Sequence, residues 1–508
     1  MNCYHLPILR FLLPFLVGII IQYQFQAANF TSITALMMFL GVIILLLLIA
    51  LIYSRKHLYT AVIFFASISL SLLAVGLQKK STQINVPVGP HSGTIIIEKI
   101  NKQNDQLCSF TFWNQNNQYL CYALIPHQQF LPSDTLSVQN MLFNSLDLTD
   151  STFKKYNQDL YQKGIRGTVF LKESNLLRCR HGNSLYSRIY QLRRYLSAKI
   201  RNADIFEPKE ESIFLSLLLG EKSYLDRELK KHYQQAGIIH VLAISGLHVG
   251  ILYLFLQFAL RALPFRSPLL VFIVITTVLV FYAMLSGLSP SVLRACVMCC
   301  ILEFSLLIQS KHHPINTVLS SALLLLIFHP AYLFDLGFQL SYVAVFFILY
   351  GLNCFQSVDK QITVVPKWLK KIQIAFRVNC LAFFGTAPLL LFHFKLLYGI
   401  SLFSGLVLIP LISTVVVSGF ISLLLCEIPF LFRTSLHFCN YTLMCCNRII
   451  DWIALKMAGE INYGIDLPTL FVLFTIFIII LTPFKSIIQK WWVLSSCLLL
   501  LFICSFLP

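Results

Sequence analysis

The chain of 508 residues is 57% apolar and only 12% charged, yet its formal net charge at pH 7 is +18. A soluble globular protein carries about twice that share of charged residues, so this composition excludes a soluble enzyme or binding domain. It predicts a polytopic α-helical membrane protein, in which cytoplasmic loops hold part of the basic excess.

Three apolar runs come first, at about 8–25, 33–53 and 59–77, and each is long enough to cross a bilayer. The first run contains a single arginine and lacks a small-residue cleavage site, so we interpret it as an uncleaved span. Residues 1–79 are therefore predicted to be N-terminal transmembrane helices.

Short β-type runs separated by turn residues occupy the second predicted domain, residues 80–175. These runs are SGTIIIEKI, LCSFTFW, QYLCYALI, TLSVQNML and RGTVFL. Five short strands, a hairpin at NQNNQ and a helical insert at FKKYNQDLYQKGI predict a small β-barrel of the OB type. Cys108 and Cys121 lie on the hairpin strands, where a disulfide and two buried thiols are both open alternatives.

Residues 176–235 form a predicted helical connector, because SLYSRIYQLRRYLSAKI and KEESIFLSLLLGE have the apolar spacing of amphipathic helices. Residues 236–508 contain about ten more apolar runs, which brings the expected total to about 11–13 spans. The run at 434–457 is predicted either to cross the membrane or to lie along its surface. Basic residues fall on alternate loops, which predicts a cytoplasmic N-terminus and an extracytoplasmic barrel.

The segment from 154 to 201 is strongly basic although it is predicted to lie outside. One interpretation is a solvated face or attraction to anionic lipid headgroups. The other is contact with a polyanion such as a nucleic-acid strand, since tyrosines that can stack on bases are interleaved. The candidate contacts are Lys163, Arg166, Arg188, Arg193 and Arg194.

Polar side chains inside apolar spans are costly and mark functional positions. In YAMLSGLSPSVLRACVM, Gly and Pro predict a break in the helix that frees backbone groups ahead of Arg294. Arg294 is expected either to meet an anionic substrate or to pair with Glu303 or Asp335. In HPAYLFDLGFQLSYVAV, the spacing of Asp335, Gln339 and Tyr342 predicts one polar seam on a helix, with interhelical hydrogen bonding as the alternative.

The stretch GIIHVLAISGLHVGIL carries two histidines, His240 and His248, in an apparent membrane helix. Their spacing, in steps of four through Ile244, predicts that they share a face. Ser245 and His248 invite a nucleophile–base interpretation, but helical i, i+3 pairs seldom give attack geometry and no carboxylate lies nearby. We therefore predict no catalytic residue here, and close helix contact at Gly246.

Together these patterns predict a path for a polar, negatively charged substrate. Its candidate lining residues are His240, Ser245, Gly246, His248, Ser289, Arg294, Asp335 and Gln339. Neither cysteine pairs nor Cys/His spacing has the form of a metal site, so no metal and no cofactor are predicted.

The stretch HVLAISGLHVGIL closely resembles the signature of the ComEC-type competence family. The resemblance continues in the family's order through YAMLSGLSPSVLRACVM, HPAYLFDLGFQLSYVAV, GTAPLLLFHF and LVLIPLIS, and it covers roughly residues 1 to 490. One departure is Gly405, where the family's pattern has asparagine. The resemblance implies a channel that passes single-stranded DNA across the cytoplasmic (inner) membrane in natural transformation, beneath an outward OB-like domain.

The resemblance also implies partners. A periplasmic DNA-binding protein would deliver the strand, and a cytoplasmic helicase and recombination proteins would receive it. Many family members end in a metallo-β-lactamase-like domain, whereas this sequence stops at LFICSFLP without an HxHxDH-like cluster, so we expect a separate nuclease. A homo-oligomer is left open.

Two other functions remain as hypotheses from the sequence. One is a secondary transporter or flippase for an anionic small molecule or lipid. The other is an intramembrane hydrolase that uses Ser245 and His248.

Overall fold

The computed structural model describes most of the chain. The described residues are 8–24, 67–68, 70–71, 90–103, 107–114, 117–125, 129–146, 156–157, 160, 165–261, 267–308, 313–359, 366–457 and 459–481. Contacts divide the chain into two compact units. The first comprises Met1–Leu196, Val280–Leu288 and Leu319–Asp335, and the second comprises Ser197–Leu279, Ser289–Val318 and Leu336–Pro508.

A small β-barrel dominates the first unit. Its strands are β1 (Pro90–Gln103), β2 (Cys108–Asn114), β3 (Asn117–Leu124), β4 (Thr135–Ser145), β5 (Ile165–Lys172) and β6 (Leu176–Arg180). The order is β1-β2-β3-β5-β4, and β1 also pairs with β4, so five strands close on themselves while β6 extends β4. β3 and β5 are parallel, as in an OB fold. The five predicted strands are confirmed, and β6 is an addition.

Alternating apolar side chains explain why these strands close around one core. Phe110, Phe112, Tyr119 and Leu136 are fully or almost fully buried there. The predicted hairpin is confirmed by the antiparallel pairing of Asn114 with Asn117. Most of the predicted helical insert lies outside the described residues.

The two hairpin cysteines are buried thiols. Cys108 pairs in register with Ala123, whereas Cys121 pairs with Phe110, so the two are offset along the strands. Both are free cysteines, and the structure therefore supports the thiol alternative. Burial raises the pKa of the Cys108 thiol to about 12, and it also raises the pKa of Cys121.

Three helices follow the barrel: α2 (Leu185–Arg201), α3 (Pro208–Leu218) and α4 (Arg227–Gln235), after α1 (Leu9–Gln24) at the start of the chain. Ser184 caps α2 by accepting the Ser187 N–H at 3.1 Å. Pro208 occupies the first turn of α3, where its missing N–H costs nothing. Residues 212–218 of α3 are all buried, so this part of the helix is enclosed on every side rather than amphipathic.

The remaining helices are mostly apolar. They are α5 (Gly246–Arg261), α6 (Pro268–Leu285), α7 (Pro290–Leu307), α8 (Pro314–Phe328), α9 (Leu336–Asp359), α10 (Lys367–Phe394), α11 (Ser401–Leu424), α12 (Pro429–Lys456) and α13 (Leu467–Leu481). Segments of α6, α7, α9, α10 and α11 are long and apolar enough to cross a membrane. The protein is therefore a polytopic helical membrane protein. The total of 11–13 spans stays a prediction, because the runs at 33–53 and 491–507, and nearly all of 59–77, lie outside the described residues.

Helix α12 is not among the helices named above as apolar enough to cross a membrane. It has a polar face toward α3 and α4. Asn447 donates to Glu210 at 2.8 Å and accepts from Tyr233 at 2.8 Å. Asp451 pairs with both Lys209 and His232 at 2.8 Å. Partial burial opposes ionisation of Asp451, but these two partners give a net lowering of its pKa. Within the second unit, the polar residues of α12 thus fasten α3 and α4.

Candidate functional site

Residues 236–245, between α4 and α5, form a broken segment within the stretch that begins the family signature. It contains one short 3-10 turn, Ile239–Leu242, followed by Ala243 in an extended conformation. Gly237 has φ +75°, which favours glycine. The prediction that His240 and His248 share a helix face is therefore wrong, since α5 begins only at Gly246. His240 lies on the 3-10 turn and is exposed.

Serine hydroxyls from three different helices hold the backbone of the broken segment. Ser404 of α11 donates to the Ala236 carbonyl at 2.6 Å. Ser291 of α7 donates to the Ile244 carbonyl at 2.6 Å. Ser216 of α3 donates to the Leu242 carbonyl. Irregular backbone among membrane helices requires such partners, because lipid supplies none.

Ser245 and His248 form the cap of α5. The Ser245 carbonyl accepts the N–H of His248 at 3.1 Å and that of Val249 at 3.4 Å, which places Ser245 at the N-cap. In return, His248 Nδ1 accepts the Ser245 N–H at 2.8 Å, in the manner of the third residue of a capping box. The Ser245 hydroxyl lies 3.0 Å from the same Nδ1. Because Nδ1 already accepts the backbone N–H, this geometry argues against a nucleophile–base pair.

The same hydrogen bond determines which nitrogen of His248 carries its proton. With Nδ1 acting as an acceptor, the neutral imidazole has its N–H on Nε2. The side chain is only 1% exposed. No acceptor among the described residues lies within hydrogen-bonding distance of Nε2. His248 therefore offers a buried donor for a group that the chain itself does not supply.

The predicted break before Arg294 is confirmed. Helix α6 ends at Leu285 and α7 begins at Pro290, with Gly287 at φ +77° and Leu288 at φ +52° between them. Ser289 occupies the N-cap position of α7, but its hydroxyl makes no capping bond. This buried hydroxyl has no partner within the described part of the chain, and it lies at the positive end of a helix dipole.

Arg294 is buried, with 6% of its surface exposed. It precedes Ala295, whose Cβ lies 3.7 Å from the position that a Cβ would take on Gly246. The predicted close contact at Gly246 is thus an ordinary van der Waals contact. The alternative that Arg294 pairs with Glu303 is wrong, because nine residues of one helix separate them by about 13.5 Å along the axis, on opposite faces.

Glu303 has partners on α5 instead. Its carboxylate accepts the Tyr253 hydroxyl at 2.6 Å and also the Gln257 amide. The side chain is 3% exposed, so the two donors compensate a carboxylate that is otherwise costly to bury. The sequence gives a weak signal for this network, namely a glutamate and a glutamine inside apolar runs.

The predicted polar seam on α9 begins later than expected. Asp335 is exposed and lies one residue before the helix, at the N-cap position that aspartate favours. Gln339 and Tyr342 do lie on α9, where both are half-buried. Asp335 belongs to the first unit and Gln339 to the second.

The structure distributes the predicted basic contacts over several faces. Arg166 is half-buried on β5, and Lys163 lies outside the described residues. On α2, Arg188 and Arg193 are separated by roughly 140° around the helix, and Arg194 by a further 100°. Arg188 is exposed and donates to Asn183 at 2.9 Å. These side chains therefore do not form one stripe.

Arg193 contacts the turn between α6 and α7. Its Nη1 atom lies 2.8 Å from the position that a Cβ would take on Gly287. Lys99 of β1 donates to the Leu288 carbonyl of the same turn at 3.5 Å. Two cations of the first unit therefore meet the turn at the helix break.

The basic residues at the end of α2 have a structural role. Lys199 pairs with Glu427 at 2.8 Å. Arg201 pairs with Glu221 at 3.3 Å and lies 4.0 Å from the centre of the Tyr224 ring. These two residues are engaged in contacts within the protein, a role that neither interpretation of the basic segment predicts.

An asparagine from the neighbouring helix occupies the space beside Gly405. A Cβ on Gly405 would lie 2.7 Å from Oδ1 of Asn379, on α10. The Asn379 amide donates to the Leu402 carbonyl and to the Ser401 carbonyl at 3.4 Å. The amide expected at position 405 is thus supplied by α10. Asn379 was missed from the sequence, although the departure at Gly405 was a signal for it.

One region of the chain matches a known family, and it contains the broken segment, the break between α6 and α7, and two of the three serines. The family described as Competence protein matches residues 217–487. The chain belongs to the competence protein family. Only Ser216, among the residues that hold the broken segment, falls just outside the matched region.

Two curated proteins are similar to parts of this chain. ComE operon protein 3 of Bacillus subtilis (strain 168) is 28% identical over 336 residues, which cover 64% of this chain and 40% of the relative. An uncharacterized protein of Aquifex aeolicus (strain VF5) is 33% identical over 215 residues, which cover 42% of this chain and 48% of the relative. The matches thus span less than half the length of each relative. No solved structure matches the chain.

Proposed function

We propose that this protein acts in DNA uptake and conducts single-stranded DNA across the cytoplasmic membrane. Membership in the competence family supports the role in uptake. The observation that carries the conducting step is the buried Nε2–H donor of His248, beside the broken segment, with no acceptor among the described residues. A buried donor of this kind suits a passing phosphate oxygen.

The chemistry of the neighbouring groups supports the same substrate class. The Ser289 hydroxyl lies at the start of α7, where a helix dipole favours negative charge. Arg294 is buried on the same helix. A guanidinium forms strong, two-pronged hydrogen bonds with phosphate. Because a buried charge is costly in a membrane protein, a buried arginine marks a functional position.

In this proposal the strand enters from the side of the barrel, which faces outward while the N-terminus is cytoplasmic. A periplasmic DNA-binding protein delivers the strand. Arg166, Arg188 and Arg194 contact the phosphate backbone of the DNA there. A helicase and recombination proteins receive it inside, and a separate nuclease removes the complementary strand. The protein itself is a conduit, not an enzyme.

The test separates the donor of His248 from its capping function. Glutamine and glutamate at the third helical position both accept the N-cap N–H, so His248→Gln and His248→Glu both preserve the cap. We expect the Gln variant to keep most uptake of labelled DNA into the cytoplasm. We expect the Glu variant to lose it at least tenfold, because a carboxylate repels phosphate.

Both variants should reach normal levels in the membrane, and labelled DNA should accumulate outside the cytoplasmic membrane in the Glu variant. Wild-type transformation by His248→Glu would overturn the conducting step. Transport of a small anion into vesicles that DNA does not inhibit would instead support the secondary-transporter or flippase alternative.

A further inference from the structure

Three potential metal ligands converge in the barrel. They are Asp134, Cys179 and His181, whose ligand atoms all lie within 4.8 Å of one another. We refer to them as the Asp–Cys–His cluster. None of the sequence patterns above predicts it, because Asp134 lies far from the other two along the chain.

Strand pairing explains why the three residues meet. β4 pairs with β6 so that Leu136 is opposite Cys179 and Thr135 is opposite Arg180. Asp134 directly precedes β4, and His181 directly follows β6. Cys179 and His181 are two residues apart, which directs both side chains to the same face of an extended chain. The barrel topology thus builds the cluster from backbone geometry alone.

The separations within the cluster fit a tetrahedral ion. Zinc bonds of about 2.0–2.3 Å to N, O and S imply ligand atoms about 3.3–3.6 Å apart. Nδ1 of His181 lies 3.0 Å from Oδ2 of Asp134, and Sγ of Cys179 lies 3.9 Å from the same oxygen. The third separation, between Sγ of Cys179 and Nδ1 of His181, is within 4.8 Å, so shifts of up to about 1 Å would complete the tetrahedral geometry.

Two backbone N–H groups hold the buried carboxylate of Asp134 in a fixed orientation. The residue is 0% exposed. The Leu131 N–H donates to Oδ2 at 2.8 Å, and the Gly182 N–H donates to Oδ1 at 3.1 Å. Backbone donors that hold a ligating carboxylate in this way are typical of metal sites. The His181 side chain is 61% exposed, so the cluster is open to solvent on one side.

We infer that the Asp–Cys–His cluster binds a zinc ion, or a similar divalent cation, through Oδ2, Sγ and Nδ1. Binding forms three metal–ligand bonds and releases the thiol proton of Cys179 to solvent, while the imidazole keeps its proton on Nε2. Water takes the fourth tetrahedral position. The ion joins β6 to the start of β4, close to where the chain leaves the barrel for α2. This inference is independent of the DNA pathway.

Zinc content of the full-length protein, purified in detergent, tests the inference. We expect about one zinc per chain in the wild type by mass spectrometry of the metal. Cys179→Ser and His181→Ala should each lower that content at least fivefold. His91→Ala and Cys380→Ser, which remove a histidine and a cysteine outside the cluster, should leave it unchanged.

Cobalt substitution provides a second readout that mere misfolding does not reproduce. The wild type should show a thiolate-to-cobalt charge-transfer band, and Cys179→Ser should lose it while keeping its elution profile. Background zinc in the wild type, or equal zinc in the wild type and both cluster variants, would overturn the inference. The cluster would then be an ordinary His181–Asp134 ion pair.

Discussion

The backbone N–H of Ser245 donates to Nδ1 of His248 at 2.8 Å, so the imidazole proton is held on Nε2. The backbone, not the hydroxyl, makes this bond. We therefore expect Ser245→Ala to retain at least half of wild-type DNA uptake, measured as transformants per cell. Loss of uptake at a normal protein level would favour the hydrolase alternative.

Ser291 provides the contrasting case, since its hydroxyl holds the Ile244 carbonyl at 2.6 Å. Ser291→Ala leaves that carbonyl without this donor, at a cost of about 1–3 kcal/mol. We expect a lower apparent melting temperature in detergent than for Ser245→Ala. Equal melting temperatures would show that the broken segment does not depend on this bond.

Gly405 and Asn379 should behave as a coupled pair, because they share one space between α10 and α11. Gly405→Asn alone should reduce the level of folded protein, since its side chain would overlap the Asn379 amide. Adding Asn379→Gly should restore it, with a favourable interaction energy of about 1 kcal/mol or more in a double-mutant cycle. Additive effects of the two substitutions would contradict the shared position.

Gly287 and Gly250 form a matched pair of glycines. Gly287 has φ +77° with Arg193 close by, whereas a Cβ on Gly250, within α5, would meet nothing within 4 Å. Gly287→Ala should destabilise the protein by about 1–2 kcal/mol through backbone strain. Gly250→Ala should be neutral or stabilise it by up to about 1 kcal/mol through helix propensity. Thermal unfolding of both variants measures the difference.

The thiols of Cys108 and Cys121 should resist alkylation in the folded protein. Burial raises the pKa of Cys108 to about 12, so almost no thiolate exists near pH 8. Peptide mapping should find both residues unmodified by iodoacetamide until a denaturant is added without reductant. Failure to label them even after denaturation would indicate a disulfide instead.

Asp451 should make stability depend on acid pH. Its pKa in the folded protein is lowered from 3.8, so its ion pairs stabilise the fold above that value and are lost as pH falls through the lowered pKa. The difference in melting temperature between the wild type and Asp451→Asn should be largest near pH 6 and shrink towards pH 3. Since the side chain is one-third exposed, raised salt should also shrink it. A difference independent of pH would contradict this account.

The barrel and most helix positions were predictable because they follow from local pattern. Alternating apolar residues specify β1 to β5, and Gly and Pro mark the break between α6 and α7. β6 was not predicted, since its sequence LLRCR has mostly exposed side chains and depends on pairing with β4.

The site was predictable only in part. His248 and Arg294 are detectable because polar side chains stand out in apolar runs. The start of α5 was misplaced because apolar composition continues across 236–245, whereas the backbone there depends on Ser216, Ser291 and Ser404 from distant parts of the chain. Such hydrogen bonds have no periodicity that a single sequence reveals.

The serine contacts to residues 236–245 also bear on mechanics. The carbonyls of Ala236, Leu242 and Ile244 belong to the segment itself, and each accepts from a serine of a different helix. Sliding of α3, α7 or α11 relative to the others must therefore break one of these bonds or move the segment. A cargo that displaces one of these helices therefore exerts a force on the other two through the segment. The ten residues 236–245 thus couple the movements of α3, α7 and α11 within the second unit.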